Sequence, residues 1–296
     1  VLRAAARVAG LPHPLLVAEP VAAARYLTVA LGAAVPPGRA VAVYDLGGGT
    51  FDAAVVRRTG GPTGFEVLAE RGLPDLGGVD FDHALVEHLG RTYADTRTTR
   101  WRGLTAPADT GQRRARALLY DDVRAAKESL SRATSADVHL PALDIDAHVT
   151  RAELEDLIRP RLGDTVACLA EAIAAARLTP AELAGVLLVG GSSRIPLAAH
   201  LIHARLGLAP TTLEQPETAV ALGALHGAFA GPPAGPAVVG GGPVTRGGPP
   251  PVVPYPQPPP EPAPRPWYAE PIALATVVLF VLVLIAAGVL IALVVG

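Results

Sequence analysis

The decapeptide VYDLGGGTFD at positions 43–52 constrains this chain more than any other stretch. An apolar, β-branched run from Ala40 to Tyr44 ends in Asp45. The glycines Gly47, Gly48 and Gly49 follow, then Thr50 and a second apolar run from Phe51 to Val56. That layout predicts two strands joined by a tight hairpin. Glycines in the bend leave backbone N–H groups uncovered, so an anion can approach them closely, and Asp45 at the mouth can orient a metal-bound water. The implied ligand is a phosphate chain with a divalent cation. A lone glycine run is more often a flexible turn, but a second bend of the same kind occurs in LLVGGSSRIP, residues 187–196. There an apolar strand runs into Gly190 and Gly191, and Pro196 opens a helix.

The elements around these bends alternate. A helical pattern opens the chain, a short strand is expected at Leu15 to Val17, and a helix follows Pro20. Strands dominate from Arg39 to Arg71. A helix from Asp80 to about Tyr93 precedes a polar segment, 94–110, expected as a surface loop. The next helix, about Gly111 to Ala133, carries Lys127 and Ser131 one turn apart on one face. Strands are expected at Asp137 to Leu140 and Leu143 to Val149. Thr150 with Glu153 forms a capping-box pattern, and Thr179 with Glu182 repeats it, with Pro180 at the first helical position. Strand Val186 to Val189 and helices from about Pro196 and Pro216 complete an α/β arrangement with a mixed sheet.

Composition narrows the ligand class. The formal net charge of −2 offers no basic surface for nucleic acid. Cys168 is the single cysteine, so no disulfide framework exists and a buried thiol is expected. The 8 histidines lack Cys or His partners at ligand spacing, which argues against a metal held directly by the protein. Lys127 is the one lysine in the chain. Methionine is absent even at position 1, and the chain opens within a helical pattern, so it reads as a piece lacking its N-terminal part.

After Ala230 the composition changes. Residues 231–266 are mostly Pro, Gly, Val and Ala, too poor in packing side chains to fold. As an extended tether this stretch could reach on the order of 100 Å. Ile272 to Val295 is an uninterrupted apolar run, long enough to cross a bilayer as a helix, with Trp267 and Tyr268 at its edge. Arg265 favours a cytoplasmic placement of the preceding domain.

Four further stretches occur in order: VAEPVAAA (17–24), GLPDLGGVDFD (72–82), AAKESLS (125–131) and QPETAVALG (215–223). With the two glycine bends they cover roughly residues 8–230, and in this the chain resembles the nucleotide-binding domain of the seventy-kilodalton heat-shock chaperones of DnaK type, in the actin-like ATPase superfamily. The resemblance implies an actin-like (ribonuclease-H-like) α/β fold. Residues 1–36 would end lobe one, 37–230 would form lobe two, 231–270 a disordered linker, and 271–296 a single transmembrane helix.

It also implies ATP and Mg²⁺ as cofactors. Gly47, Gly48, Gly49 and Thr50 would cradle the β- and γ-phosphates, with the Thr50 hydroxyl near the attacking water. Asp45 and Glu19 would hold waters of the Mg²⁺ shell, and Asp45 would position the nucleophilic water. Lys127 and Ser131 would reach the ribose or base, Gly190, Gly191 and Ser192 would admit the nucleoside, and Arg194 would lie against adenine. Glu217 stands where the family carries an aspartate, and Gly77 and Gly78 either contact phosphate or form a turn. Arg124 occupies the place of a glutamate that helps bind the ribose.

The first-lobe phosphate hairpin and its lysine find no counterpart, so the chain as it stands is expected not to hydrolyse ATP efficiently, although the longer protein would be an ATPase. A β-rich substrate domain is also missing after Ala230. The expected function is a stress-response, chaperone-like ATP-binding protein, single-pass in the membrane, with its ATPase domain in the cytoplasm. Its partners would be ATP or ADP, the lipid bilayer, and a co-chaperone or nucleotide-exchange factor. A nucleotide-sensing scaffold without turnover and an actin-like filament protein are the alternatives.

Overall fold

The apolar runs around the first glycine bend become the middle of a four-stranded mixed sheet. The fold is taken from a computed structural model that describes residues 1–11, 14–60, 64–93, 99–140 and 143–228. Strand β1 (Ala40–Leu46) pairs antiparallel with β2 (Phe51–Arg58), which pairs antiparallel with β3 (Phe65–Leu73). On its other edge β1 runs parallel to β6 (Leu183–Val189), giving the order β3-β2-β1-β6. A separate hairpin joins β4 (Ser135–Leu140) to β5 (Ile145–Thr150).

Because side chains alternate along a strand, β1 feeds two cores. Ala40, Ala42, Tyr44 and Leu46 face a large one with Phe51, Leu85, Leu119, Leu130 and Leu169, built from α3 (Gly78–Tyr93), α5 (Thr110–Leu130), α6 (Arg151–Ala175) and α7 (Pro196–Leu206). Val41 and Val43 face a smaller one with Val21, Ala23, Leu27, Leu187 and Val189, covered by α2 (Glu19–Arg25). Tyr44 is wholly buried, and its hydroxyl shares a 2.6 Å hydrogen bond with Thr165 Oγ1. Burial pushes that phenol up from its ordinary range, so it stays neutral and the bond is one between uncharged groups.

The N-terminal part is short helix and coil: α1 (Leu2–Val8), then α2, which continues as one π-helical turn over Tyr26–Ala30. Its small residues Ala22 to Ala24 are buried, and Gly223 of α8 (Ala219–Ala228) comes against the Ala22 carbonyl. A side chain at 223 would collide with that backbone.

Several expectations need correction. Leu15 to Val17 form no strand; Leu15 and Leu16 lie exposed and reach no sheet partner among the described residues. Part of the expected surface loop 94–110 is α4 (Thr99–Thr105), because Trp101 and Leu104, three residues apart, put one apolar face into the large core. The Thr179 box closes as predicted, Glu182 accepting from the Thr179 amide at 2.7 Å, but it caps only a single 3₁₀ turn, Pro180–Glu182. The strand-forming run from Leu183 takes over at once. The last helix starts at Ala219, not Pro216, since Pro216 offers its carbonyl to the Gly190 amide. By contrast the Thr150 box opens the long α6 as the sequence predicts.

Among the described residues no helix is long and apolar enough to cross a membrane. The predicted linker and the apolar run 272–295 lie outside those residues.

Candidate functional site

Both glycine bends open onto one cavity. The β1–β2 bend contributes Gly48, and the bend after β6 contributes Gly191, Ser192 and Arg194. The start of α3 supplies Gly78 and Asp82, and the last turns of α5 supply Lys127 and Ser131. Glu217, just before α8, closes the rim of a space of about 1090 Å³. Parallel pairing produces this convergence: Asp45 pairs with Val189, so the chain leaves β1 and β6 at the same end of the sheet. Ligand clefts in α/β folds form at the carboxyl ends of such strands.

The first bend is tight and partly open. The Gly47 amide donates to the Thr50 carbonyl at 3.1 Å. Carbonyls of Gly47 and Gly48 accept from the amides of Gly78 and Val79 at 3.0 and 2.8 Å, and the Gly77 amide donates to Asp80 Oδ2 at 2.7 Å. The amides at the start of α3 are therefore committed to holding the hairpin. Gly77 has to be glycine, since a Cβ there would come within 2.6 Å of the Gly48 backbone. Gly48, Gly49 and Thr50 are exposed, and among the described residues their amides have no hydrogen-bond partner.

The second bend is closed. Gly190 adopts φ +82°, and a Cβ would lie 2.6 Å from Asp45 Oδ1. Only glycine meets both demands. Gly191 to Arg194 form one 3₁₀ turn, steadied by Ser193, whose hydroxyl donates to the Gly190 carbonyl at 2.7 Å.

Lys127 is almost fully buried. Its Nζ donates to the Gly78 carbonyl at 2.8 Å and stands 2.6 Å from Asp82 Oδ1. The approach to Asp82 is an ion pair without hydrogen-bond direction, and neither Asp82 oxygen accepts a well-aligned bond. An ammonium has three donors, so at least one remains for the cavity that Lys127 lines. Asp82 escaped the sequence reading, although it stands one helical turn after Gly78 in the 72–82 motif and the lone lysine required a buried partner. Arg194 is also engaged, reaching Glu217 Oε1 at 2.7 Å and Oε2 at 2.9 Å. The Glu217 carboxyl lies below the usual carboxylate range, chiefly through a backbone hydrogen bond and then the Arg194 contact, against some desolvation.

The two acids expected to serve magnesium, Glu19 and Asp45, lie apart from this cleft. Glu19, Asp45 and Asp52 line a second cavity of about 530 Å³ with Glu70, Arg71 and Gly72. The Asp45 carboxyl is pushed up from 3.8 to about 6, first by burial and then by the negative charges of Glu19 and Asp52. Asp45 abuts Gly190, and that contact links the second cavity to the first. Among the described residues no group of three or more His, Cys, Asp or Glu side chains is arranged to hold a metal ion directly.

A family model described as Hsp70 protein matches residues 2–231. The chain is 39% identical over 225 residues to the chaperone protein HscA homolog of Burkholderia multivorans, covering 74% of this chain and 33% of that protein. It is 40% identical over 220 residues to the chaperone protein HscA of Yersinia pseudotuberculosis serotype I, covering 74% and 31%. With the HscA of Klebsiella pneumoniae the identity is 37% over 220 residues, covering 74% and 32%. The chain thus spans about a third of the length of the curated relatives it matches.

Proposed function

Because this chain belongs to the Hsp70 family, we propose that it is the nucleotide-holding part of a chaperone-like ATPase with an actin-like fold, and that ATP or ADP with Mg²⁺ occupies the cleft between its two glycine bends. The observation that carries this reading is the meeting of Gly48, Gly191 and the buried Lys127 on one cavity at the ends of parallel strands.

The free amides of Gly48, Gly49 and Thr50 would take the phosphate oxygens, as uncovered backbone donors do for anions. Gly47, Gly77 and Gly78 have their amides engaged within the fold and would shape the bend instead of binding phosphate. Lys127 and Ser131 would meet the ribose or base, Gly190, Gly191 and Ser192 would admit the nucleoside, and Arg194, braced by Glu217, would present its guanidinium plane to adenine.

Magnesium fits the acidic end. Four carboxylates, Glu19, Asp45, Asp52 and Glu70, line that cavity beside Arg71, and the raised Asp45 marks a surplus of negative charge that a hard cation relieves. Glu19 and Asp45 would hold that ion through its waters, and the ion would neutralise charge on the phosphates. The residues here would orient a water through Asp45 and the Thr50 hydroxyl.

The sequence supports a further element of the reading, a membrane anchor at 272–295 with this domain cytoplasmic. Fractionation tests it: recovery of the chain in washed membranes is expected, and loss to the soluble fraction with 271–296 still attached would refute the anchor. Co-chaperones and exchange factors are the expected partners. For the nucleotide, the melting temperature of the full chain is expected to rise with millimolar Mg-ADP, and Asp45→Asn combined with Gly48→Val is expected to abolish the rise. No rise in the wild type would reject the reading.

A further inference from the structure

The net charge of −2 conceals an uneven distribution. Residues 99–116 carry five arginines, Arg100, Arg102, Arg113, Arg114 and Arg116, against the single acid Asp109, which leaves this stretch at +4. Asp109 is engaged as the cap of α5, accepting from the Gln112 amide at 2.8 Å.

The fold gathers these arginines at one corner, where α4 packs against the first turns of α5. The Arg116 guanidinium donates to the Thr105 carbonyl at 3.2 Å, and the Ala108 amide donates to Gln112 Oε1 at 2.7 Å. A Cβ at Gly103 would stand 3.1 Å from the Gln112 side chain, so the neighbouring Arg102 is brought to the start of α5. Arg100, Arg102, Arg113 and Arg114 are exposed, and none of the five arginines makes an ion pair among the described residues. Like charges left unpaired on one face repel one another, and an anionic partner relieves that repulsion.

The same face carries an apolar group. Leu118, one turn after Arg114, is 53% exposed. Arginines around an exposed leucine suit a lipid headgroup layer, which takes positive charge and apolar surface together. The exposed acids Asp121 and Asp122 bound the face along α5. None of the five arginines lines the nucleotide cleft, which lies at the other end of that helix. A helix rises about 1.5 Å per residue, so Arg114 and Lys127 stand about 20 Å apart along α5.

We propose, resting on the membrane-anchor reading above, that this arginine corner is a docking face for an anionic lipid surface and orients the tethered domain on the bilayer. An anchor in the same chain keeps the face at high local concentration near the leaflet, and the cytoplasmic leaflet is the negative one. Each arginine held at such a surface strengthens the contact about fivefold. Nucleic acid offers matching charge but neither a use for Leu118 nor a tether.

The full chain reconstituted into phosphatidylcholine vesicles, with or without phosphatidylglycerol, tests this. Phenylglyoxal modification followed by peptide mapping reads each arginine, and flotation reads attachment. Arg100, Arg102, Arg113 and Arg114 are expected to react at least about threefold more slowly on the anionic vesicles at low salt, with the difference lost at high salt. The exposed Arg159 on α6 and Arg205 on α7 should react equally on both. Arg113→Gln combined with Arg114→Gln is expected to weaken the contact about thirtyfold and return Arg100 and Arg102 to their neutral-vesicle rates. A melting curve checks that this variant is folded. Flotation with both vesicle types and equal arginine rates on the two would overturn the proposal and leave the anchor standing. Flotation with anionic vesicles alone, reversed by salt and accompanied by the slowed arginines, would support the face and refute the anchor. Flotation with neither would sink both. Slowing of the same arginines by duplex DNA added to the neutral vesicles, as strong as that by phosphatidylglycerol, would overturn the assignment to lipid.

Discussion

The two glycine bends use the same residue for opposite purposes. Around Gly48 and Gly49 nothing lies within 4 Å of where a Cβ would stand, so these glycines are open towards the cleft. At Gly190 a Cβ would strike Asp45 and the backbone of Leu46, so that glycine is closed in by the fold. Open glycines leave stability almost untouched and keep amides accessible to a ligand. The closed one is needed for β6 to turn against β1. A glycine-rich motif is thus part binding surface and part packing, and only the surroundings divide the two.

The buried ion pair beside the open bend gives the largest expected effect. Lys127→Ala would leave the buried Asp82 with only the half-exposed Arg124 at 3.6 Å, and a loss of about 3 kcal/mol in urea unfolding is expected. The double variant Lys127→Met with Asp82→Leu should recover most of it, since no charge then stays buried. If the single variant is as stable as the wild type, the cleft floor is not held by this pair.

Gly190→Ala comes next, at about 2–4 kcal/mol, combining a left-handed backbone with a steric clash. A cost below 1 kcal/mol would mean that the bend relaxes freely and that the contrast between the bends is unreal.

Asp45 supplies a test through pH. Its folded-state proton is held more tightly than in the unfolded chain, from 3.8 to about 6. Its contribution is therefore most favourable below about pH 4 and is lost as the pH rises through 6. Asp45→Asn removes the charge, and after allowance for solvent screening a gain of about 1 kcal/mol, or ~2–4 °C, is expected at pH 7.5 without Mg²⁺. The gain should vanish near pH 4. An equal gain at both pH values would show that the effect is not electrostatic.

Gly48→Ala is expected to change stability by less than about 0.5 kcal/mol while weakening Mg-ADP binding. Substantial unfolding would place this glycine with the closed kind.

Much of the fold was legible. The apolar runs 40–44 and 51–56 declared strands, and the Thr150 and Glu153 pair marked the start of α6. The elements misread share one cause, tertiary contact overriding local pattern. Trp101 and Leu104 turned a polar loop into a helix by reaching the core, and the apolar run from Leu183 cut short a well-capped start. Leu15 to Val17 had strand propensity but, among the described residues, no neighbouring strand to pair with.

Within the site, the positions of the glycines and of Lys127 were readable because their motifs lie at strand and helix ends. Asp82 was missed because its meaning depends on a lysine 45 positions later. That the acids line a different cavity from Lys127 could not be read at all, since it depends on which face of β1 Asp45 takes relative to α2.

The most direct test of the central claim is photo-crosslinking of the full chain with 8-azido-ATP and Mg²⁺, followed by peptide mapping. The label is expected within residues 127–132 or 190–195 and should be competed away by unlabelled ATP. A competed label confined to peptides outside the cleft would contradict the convergence of the two glycine bends on one nucleotide.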